Sequence, residues 1–125
     1  MEEMVLQAKV GLELSVAVAD IEHPRALVQL VHGAVEHKER YYEFMKFLND
    51  NGFAAIISDN RGHGLSVNEK YPLGYMDGYE EMGEDQMVLT RYIKARHPGK
   101  ELYLFGHSFG SLLARCYLQQ HDHEV

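Results

Sequence analysis

Residues 102–110 read LYLFGHSFG, and this stretch decides the fold. Its first part, residues 102–105, is a short apolar run that is typical of a strand buried in a sheet. The part that follows has the pattern Gly-x-Ser-x-Gly, and an apolar stripe with helical spacing comes next in residues 109–117. A strand that turns sharply into a helix through this pattern exposes the hydroxyl of its central serine, Ser108. The sequence therefore predicts a nucleophile on a strand-to-helix turn.

The geometry of such a turn explains the residues around the serine. A side chain at Gly106 or Gly110 would collide with the neighbouring backbone, so we expect both glycines to shape the turn. Ser108 would be held in a strained conformation of the kind that proteins keep at functional sites. The backbone N–H of Phe109, at the start of the helix, would then donate to an oxyanion. A chance match of the pattern is the alternative, and the flanking strand and helix disfavour it.

The rest of the chain alternates strands and helices. Residues 5–20 alternate apolar with polar or small side chains around Gly11, which predicts a β-hairpin. Residues 26–31 and 53–57 are apolar runs that predict buried strands. A helix over residues 79–96 is expected from its inward-facing apolar positions. Another helix is predicted between the two apolar runs, with one apolar face and an Asn-Gly stop, formed by Tyr41, Phe44, Met45, Leu48, Asn51 and Gly52.

This order predicts a parallel sheet with helices on both faces. Ligand chemistry in such sheets lies at the carboxyl ends of the strands. His32, Gly33 and Ala34 come at the end of the first buried strand. We expect Ala34 to donate the second N–H of an oxyanion hole and Gly33 to let the backbone approach closely. His32 is interpreted as a structural histidine that supports this loop rather than as a group that transfers protons.

A third segment, residues 59–66, reads DNRGHGLS and follows the second apolar run. Its Asp, Arg and His could suggest a catalytic or metal cluster. A zinc site requires several His or Cys ligands at a clear spacing, whereas His63 stands alone in this segment. We therefore interpret the segment as a loop shaped by glycines and held by internal hydrogen bonds and an ion pair. The sequence predicts neither a metal nor an organic cofactor.

The composition is that of an ordinary globular domain, since 46% of the 125 residues are hydrophobic and 25% are charged. A net charge of −7 would repel nucleic-acid phosphates, so that class of partner is disfavoured. The one cysteine, Cys116, cannot form an internal disulfide, which fits a reducing compartment. The N-terminus lacks a secretory pattern, and no apolar run reaches about 18 residues. We expect a cytoplasmic protein without stable membrane insertion and leave its oligomeric state open.

Three segments together resemble the α/β-hydrolase superfamily, and more narrowly its monoglyceride lipase, lysophospholipase and serine aminopeptidase S33 group. They are VHGAVEH with the following Arg40-Tyr41, then Asp59-x-Arg-Gly-His-Gly-x-Ser, then Gly106-His-Ser-Phe-Gly. The resemblance implies the N-terminal half of an α/β-hydrolase fold, a β-hairpin followed by parallel βαβαβα in a three-layer sandwich. It also implies hydrolysis of an acyl ester or lipid by Ser108, with Ala34 and Phe109 in the oxyanion hole. A peptidase or thioesterase of the same fold, or a remnant without activity, stays open.

The sequence departs from this family in one respect. The acid and the histidine of the triad follow the serine in such folds, from loops after later strands. Here only residues 109–125 follow Ser108, and they correspond to the helix after the turn. We therefore expect residues 1–125 to be a partial domain, truncated after that helix, without the triad Asp and His, the later strands and the lid. We also expect this chain to be inactive by itself and to leave an open apolar edge beside residues 102–105.

Overall fold

The computed structural model describes residues 1–8, 13–32, 37–59 and 79–106, and for residues 79–82 it describes only the backbone. Within these ranges strands and helices alternate along the chain, after an initial pair of strands. In chain order the elements are β1 (Glu2–Gln7), β2 (Glu13–Ala19), β3 (Ala26–Val31), a 3-10 turn (Lys38–Tyr41), α1 (Tyr42–Asp50), β4 (Phe53–Ser58), α2 (Tyr79–Arg96) and β5 (Leu102–Gly106).

The strands form one five-stranded sheet in the order β1-β2-β4-β3-β5. β1 and β2 pair antiparallel as a hairpin, and β2 also pairs antiparallel with β4. β3 lies between β4 and β5 and is parallel to both. The predicted hairpin followed by parallel βαβαβ is thereby confirmed. The hairpin turn at Gly11 and the helix predicted over residues 109–117 lie outside the described residues.

The two helices cover opposite faces of the sheet. Side chains on one face pack with α2, in a cluster formed by Leu14, Val16, Val18, Leu27, Ala54, Ile56, Leu89, Ile93 and Leu102. Side chains on the other face pack with α1, in a cluster formed by Ala17, Ala19, Val28, Leu30, Met45, Leu48, Ala55 and Ile57. Alternate residues of β2, β3 and β4 belong to opposite clusters, because successive side chains of a strand point to opposite faces. The predicted three-layer sandwich is confirmed.

The end of α1 follows the sequence prediction as well. Gly52 has a positive φ of 89°, a conformation that glycine adopts without strain. A Cβ built on Gly52 would lie 2.9 Å from Cδ of Arg25, so the side chain of Arg25 passes close to the glycine. The amide of Asn49 donates to the backbone oxygens of Ala19 and Phe53, each at 2.8 Å. These bonds fix the end of the helix against β2 and β4.

The prediction that residues 102–105 form a buried strand holds on one face of the sheet only. Leu102 is buried and Leu104 half-buried against the α2 side, whereas Tyr103 is 53% exposed and Phe105 40% exposed. The reason is position, since β5 is the outer strand of the described sheet and α1 packs mainly over β4. The expectation of an open edge beside this strand therefore agrees with the strand order of the described residues.

Candidate active site

The carboxyl ends of the three parallel strands meet at one edge of the sheet. Val31 at the end of β3 is in register with Gly106 at the end of β5, and Leu30 is in register with Ile57 of β4. His32 is the residue after β3, so it lies next to Gly106, the first glycine of the Gly-x-Ser-x-Gly pattern. The structure thus brings two of the sequence-predicted site residues, His32 and Gly106, to the same edge.

The remaining predicted site residues, Gly33, Ala34, Ser108, Phe109 and Gly110, lie outside the described residues. Their roles as oxyanion donors, nucleophile and turn glycines stay predictions. The described strand does settle where the motif begins. Gly106 is the last residue of β5, so the chain reaches the pattern directly from the carboxyl end of a parallel strand.

Asp59 is the residue that organises the described part of this edge. It follows β4 and is fully buried, and its own N–H donates to the backbone oxygen of Ser15 at 3.0 Å. Its Oδ1 accepts the backbone N–H of Lys38 at 2.9 Å, and its Oδ2 lies 3.4 Å from Nζ of Lys38. These bonds join Asp59 to β2 and to the 3-10 turn. The sequence predicted bonds within residues 59–66, of which the structure describes only Asp59, so that interpretation stays a prediction.

His32 is buried beside the same carboxylate. Its Nε2 lies 4.0 Å from Oδ1 of Asp59, which is too long for a hydrogen bond but close enough for attraction to a protonated ring. The histidine has no exposed surface. Its predicted role as a support of the loop that follows it stays a prediction.

Lys38 is the site residue that sequence reasoning missed. Its side chain is 1% exposed, which is rare for a lysine unless the ammonium is paired. The ammonium donates to Oε2 of Glu39 at 2.9 Å and to Asp59. Burial alone would lower the pKa of Lys38, but the contacts with Glu39 and Asp59 outweigh it and raise the pKa. Lys38 lies among charged residues just before the predicted helix, and lysines in such a position are usually exposed to solvent. No sequence pattern therefore indicated its burial.

Glu39 extends these charges to the surface. Its Oε1 lies 3.0 Å from Nδ1 of His37, and both side chains are about half exposed, at 40% and 53%. Burial would raise the pKa of Glu39, but the hydrogen bonds from Lys38 and His37 lower it below its ordinary value. From the surface to the interior, basic and acidic groups therefore alternate in the order His37, Glu39, Lys38 and Asp59.

Two further findings limit the chemistry of the described residues. Residues 1–8, 13–32, 37–59 and 79–106 contain no group of three or more His, Cys, Asp or Glu placed to hold a metal ion. In the same part of the chain, neither helix combines the length and the apolar character that crossing a bilayer requires. What the described edge offers is a buried, hydrogen-bonded carboxylate and a buried histidine at the carboxyl ends of parallel strands, where active sites of such sheets lie.

The sequence is similar to proteins of one family. The profile of the family described as serine aminopeptidase, S33 matches residues 22–125. A monoglyceride lipase homolog of monkeypox virus is 36% identical over 99 residues, which are 77% of this chain and 35% of the viral protein. Human monoglyceride lipase is 30% identical over 91 residues, 73% of this chain and 29% of the human protein. This chain thus spans about a third of the length of these relatives.

The fold is also similar to that of a solved structure. A highly thermostable carboxyl esterase from Bacillus coagulans superimposes with a TM-score of 0.85 at 30% sequence identity. The match covers 99% of this chain and 41% of the esterase. The described sheet therefore corresponds to the N-terminal portion of an α/β-hydrolase. The chain belongs to the serine aminopeptidase S33 family of α/β-hydrolases, a serine hydrolase family that is related to monoglyceride lipases and carboxyl esterases.

Proposed function

We propose that this chain carries the nucleophile half of a carboxylic-ester hydrolase that acts on monoacylglycerols or lysophospholipids. One observation carries the proposal. Gly106, the first residue of the Gly-x-Ser-x-Gly pattern, ends a parallel strand in register with Val31, beside buried His32. A serine two residues further along would stand at the edge of the sheet where α/β-hydrolases perform their chemistry.

The proposed reaction is acyl transfer through Ser108. A histidine base removes the proton of the hydroxyl while its oxygen attacks the ester carbonyl. The backbone N–H groups of Ala34 and Phe109 stabilise the resulting oxyanion. The intermediate expels the alcohol, which takes the proton from the histidine, and leaves an acyl-serine. Water then attacks the acyl-serine, releases the fatty acid and restores the hydroxyl.

The base and acid of this reaction would come from the complete protein rather than from residues 1–125. A serine hydroxyl without a base is a weak nucleophile at neutral pH, so this chain by itself should be inactive. The relatives suggest the substrate class, since their names include monoglyceride lipases and a probable lysophospholipase from Haemophilus influenzae. The acidic composition disfavours attraction to anionic headgroups, so apolar contacts should hold the acyl chain.

An amide hydrolase is the second candidate, because the matching family is described as a serine aminopeptidase. A panel of p-nitrophenyl esters and amino-acid p-nitroanilides, assayed on the complete protein, separates the two activities. Preference for esters by the ratio of kcat/KM values supports the proposed lipase. Preference for amino-acid anilides would replace it with the peptidase.

Covalent labelling tests the role of Ser108 directly. A fluorophosphonate probe should label the complete protein at Ser108 and should not label its Ser108→Ala variant. The same probe should leave residues 1–125, expressed alone, unlabelled, because the triad histidine of such folds is expected to follow these residues. Absence of labelling in the complete wild-type protein would remove Ser108 as the nucleophile, and labelling of the short chain would show that a base lies within it.

A further inference from the structure

The aromatic side chains of β5 lie on a partly covered strip of the sheet. Tyr103 and Phe105 point to the α1 side and are 53% and 40% exposed. The cluster that packs under α1 takes its strand residues from β2, β3 and β4 and includes none from β5. Of the described helices, α1 therefore covers this face of β5 only in part.

A groove continues this strip toward α1. Its volume is about 500 Å³, and its lining includes Phe44, Tyr103 and Phe105. The ring centroid of Phe44 lies 5.2 Å from that of Phe105 and 6.3 Å from that of Phe47. Aromatic rings thus run from β5 to the exposed side of α1, and we call these four residues the aromatic surface. Contiguous apolar surfaces of this kind are typical of contacts with another polypeptide.

The free side of β5 adds backbone groups to this surface. Among the described strands, β5 pairs only with β3, and that pairing is parallel. The outer side of such a strand is a template for pairing with another strand. Arg25 and Glu101 also line the groove. An apolar centre with polar groups of both charges beside it is the usual arrangement of a protein interface.

We propose that β5 and the aromatic surface bind the remainder of the hydrolase as a separate polypeptide, which supplies the histidine base to Ser108 without a covalent link. The inference rests on the proposed function, which places the base outside residues 1–125. The partner contributes a strand parallel to β5 and a helix whose apolar face covers the aromatic surface. This chain spans about a third of the length of its relatives, so the rest of such a protein is long enough for both contacts.

A second copy of this chain fits the surface less well. Identical strands that meet around a two-fold axis pair antiparallel. The two aromatic surfaces would then lie side by side on one face of the continued sheet, and neither would cover the other. A different polypeptide can bring a parallel strand and a covering helix together. We expect self-association only where this partner is missing.

Co-expression tests the docking surface. Residues 1–125 and the remainder of the complete protein, made as two chains with an affinity tag on the remainder, should purify as a one-to-one complex. Sedimentation velocity over a dilution series then measures its dissociation constant. Tyr103→Lys and Phe105→Lys should each weaken the complex at least about 30-fold, the effect of losing a strong interface residue.

Control variants separate this surface from the rest of the sheet. Val5→Lys should leave the complex unchanged, because Val5 is 55% exposed on β1, the outer strand at the opposite edge of the described sheet. Tyr103→Phe keeps the ring and should bind as wild type does. Phe47→Ala leaves β5 intact and should weaken the complex about tenfold, so it keeps the test decisive if a lysine variant does not fold.

A fluorophosphonate probe tests whether the partner supplies the base. The purified complex should label at Ser108. Its Ser108→Ala variant should stay unlabelled, as should residues 1–125 alone.

The outcomes separate the two proposals. If the intact complete protein labels but the two chains do not bind, or bind equally well after Tyr103→Lys and Phe105→Lys, the docking surface is overturned. An assembly made only of copies of residues 1–125 overturns the choice of partner, and a complex that forms without labelling overturns delivery of the base. If the intact complete protein does not label, the proposed function fails, and binding of the two chains alone then decides the docking surface.

Discussion

The Glu39 carboxylate lies between two basic side chains, and this position makes part of the stability dependent on pH. Its oxygens lie 3.0 Å from Nδ1 of His37 and 2.9 Å from Nζ of Lys38. Burial raises the pKa of Glu39, but the two neighbours lower this pKa by a larger amount. The pKa of Glu39 is therefore below its ordinary value of 4.5. A carboxyl group with a lowered pKa binds its proton more weakly in the folded state than in the unfolded state.

The sign of the pH effect follows from this difference. Stabilisation by Glu39 is present above the unfolded pKa of about 4.5 and is lost as the pH falls through the lower folded value. Because the carboxyl group is 40% exposed, we expect less than about 1 kcal/mol between wild type and Glu39→Gln at pH 7. Urea unfolding of the complete protein from pH 7 to pH 3 should show that difference shrink toward the acid end. Exposed Glu43→Gln is the control, and a Glu39→Gln difference that does not shrink below pH 4.5 would contradict the assignment.

At the same scale, the sequence predicted those site residues that belong to a pattern. Gly106 and His32 were found because they follow apolar runs of a length typical of strands, and parallel strands end at one edge. The bonds of Asp59 to β2 and to the 3-10 turn were not predicted, because they depend on tertiary contacts that local sequence does not record. Lys38 was missed for the same reason, since its burial arises from the distant carboxylate of Asp59.

Between elements, a buried polar network fixes α2 on β3. Gln29, in the middle of β3, has no exposed surface, and its Nε2 donates to Oε1 of Gln86 at 2.9 Å. The hydroxyl of Thr90 donates to Oε1 of Gln29 at 2.6 Å. Apolar contacts alone would allow the helix to slide along the strand, whereas these bonds specify one position.

Replacing the central amide tests this network. Gln29→Met keeps the volume but removes bonds to buried partners, so we expect the free energy of unfolding to fall by about 1–3 kcal/mol. Thr90→Val should cost about 1 kcal/mol in wild type and clearly less in the Gln29→Met background, because the two residues share a bond. Urea denaturation of the complete protein, followed by circular dichroism, measures wild type, the two single variants and the double variant. Thr90→Ser, which keeps the hydroxyl, is the control. Strictly additive losses would show that the network does not act as a unit.

The elements themselves were predictable from the sequence, but the covering of their faces was less so. The helix predicted over residues 79–96 coincides with α2, and the apolar runs coincide with β3 and β4, because periodicity and the Asn-Gly stop are local signals. An apolar run in β5 predicts a strand but cannot reveal whether a helix lies over each of its faces. That depends on where α1 packs, and α1 leaves Tyr103 and Phe105 exposed.

Across the whole molecule, aromatic side chains gather between α1 and the outer strand of the described sheet. The rings of Phe44 and Phe105 are 5.2 Å apart, and Phe47 on α1 is 58% exposed. A groove of about 500 Å³ runs between the helix and β5. Among the described strands, β5 pairs on one side only, with β3. An apolar strand with an unpaired side is a template for pairing with another chain.

Residues 1–125, expressed alone, should therefore self-associate through β5 or precipitate. Sedimentation velocity across a concentration series should show species heavier than the monomer. A lysine on an outer strand opposes pairing through charge, so Tyr103→Lys and Phe105→Lys should shift the chain toward monomer. Phe47→Lys separates edge pairing from general hydrophobic adhesion, because it adds the same charge to the aromatic surface without touching β5. Equal effects of all three substitutions would indicate adhesion, and a wild-type chain that sediments as a monomer and melts cooperatively would rule out association through this edge.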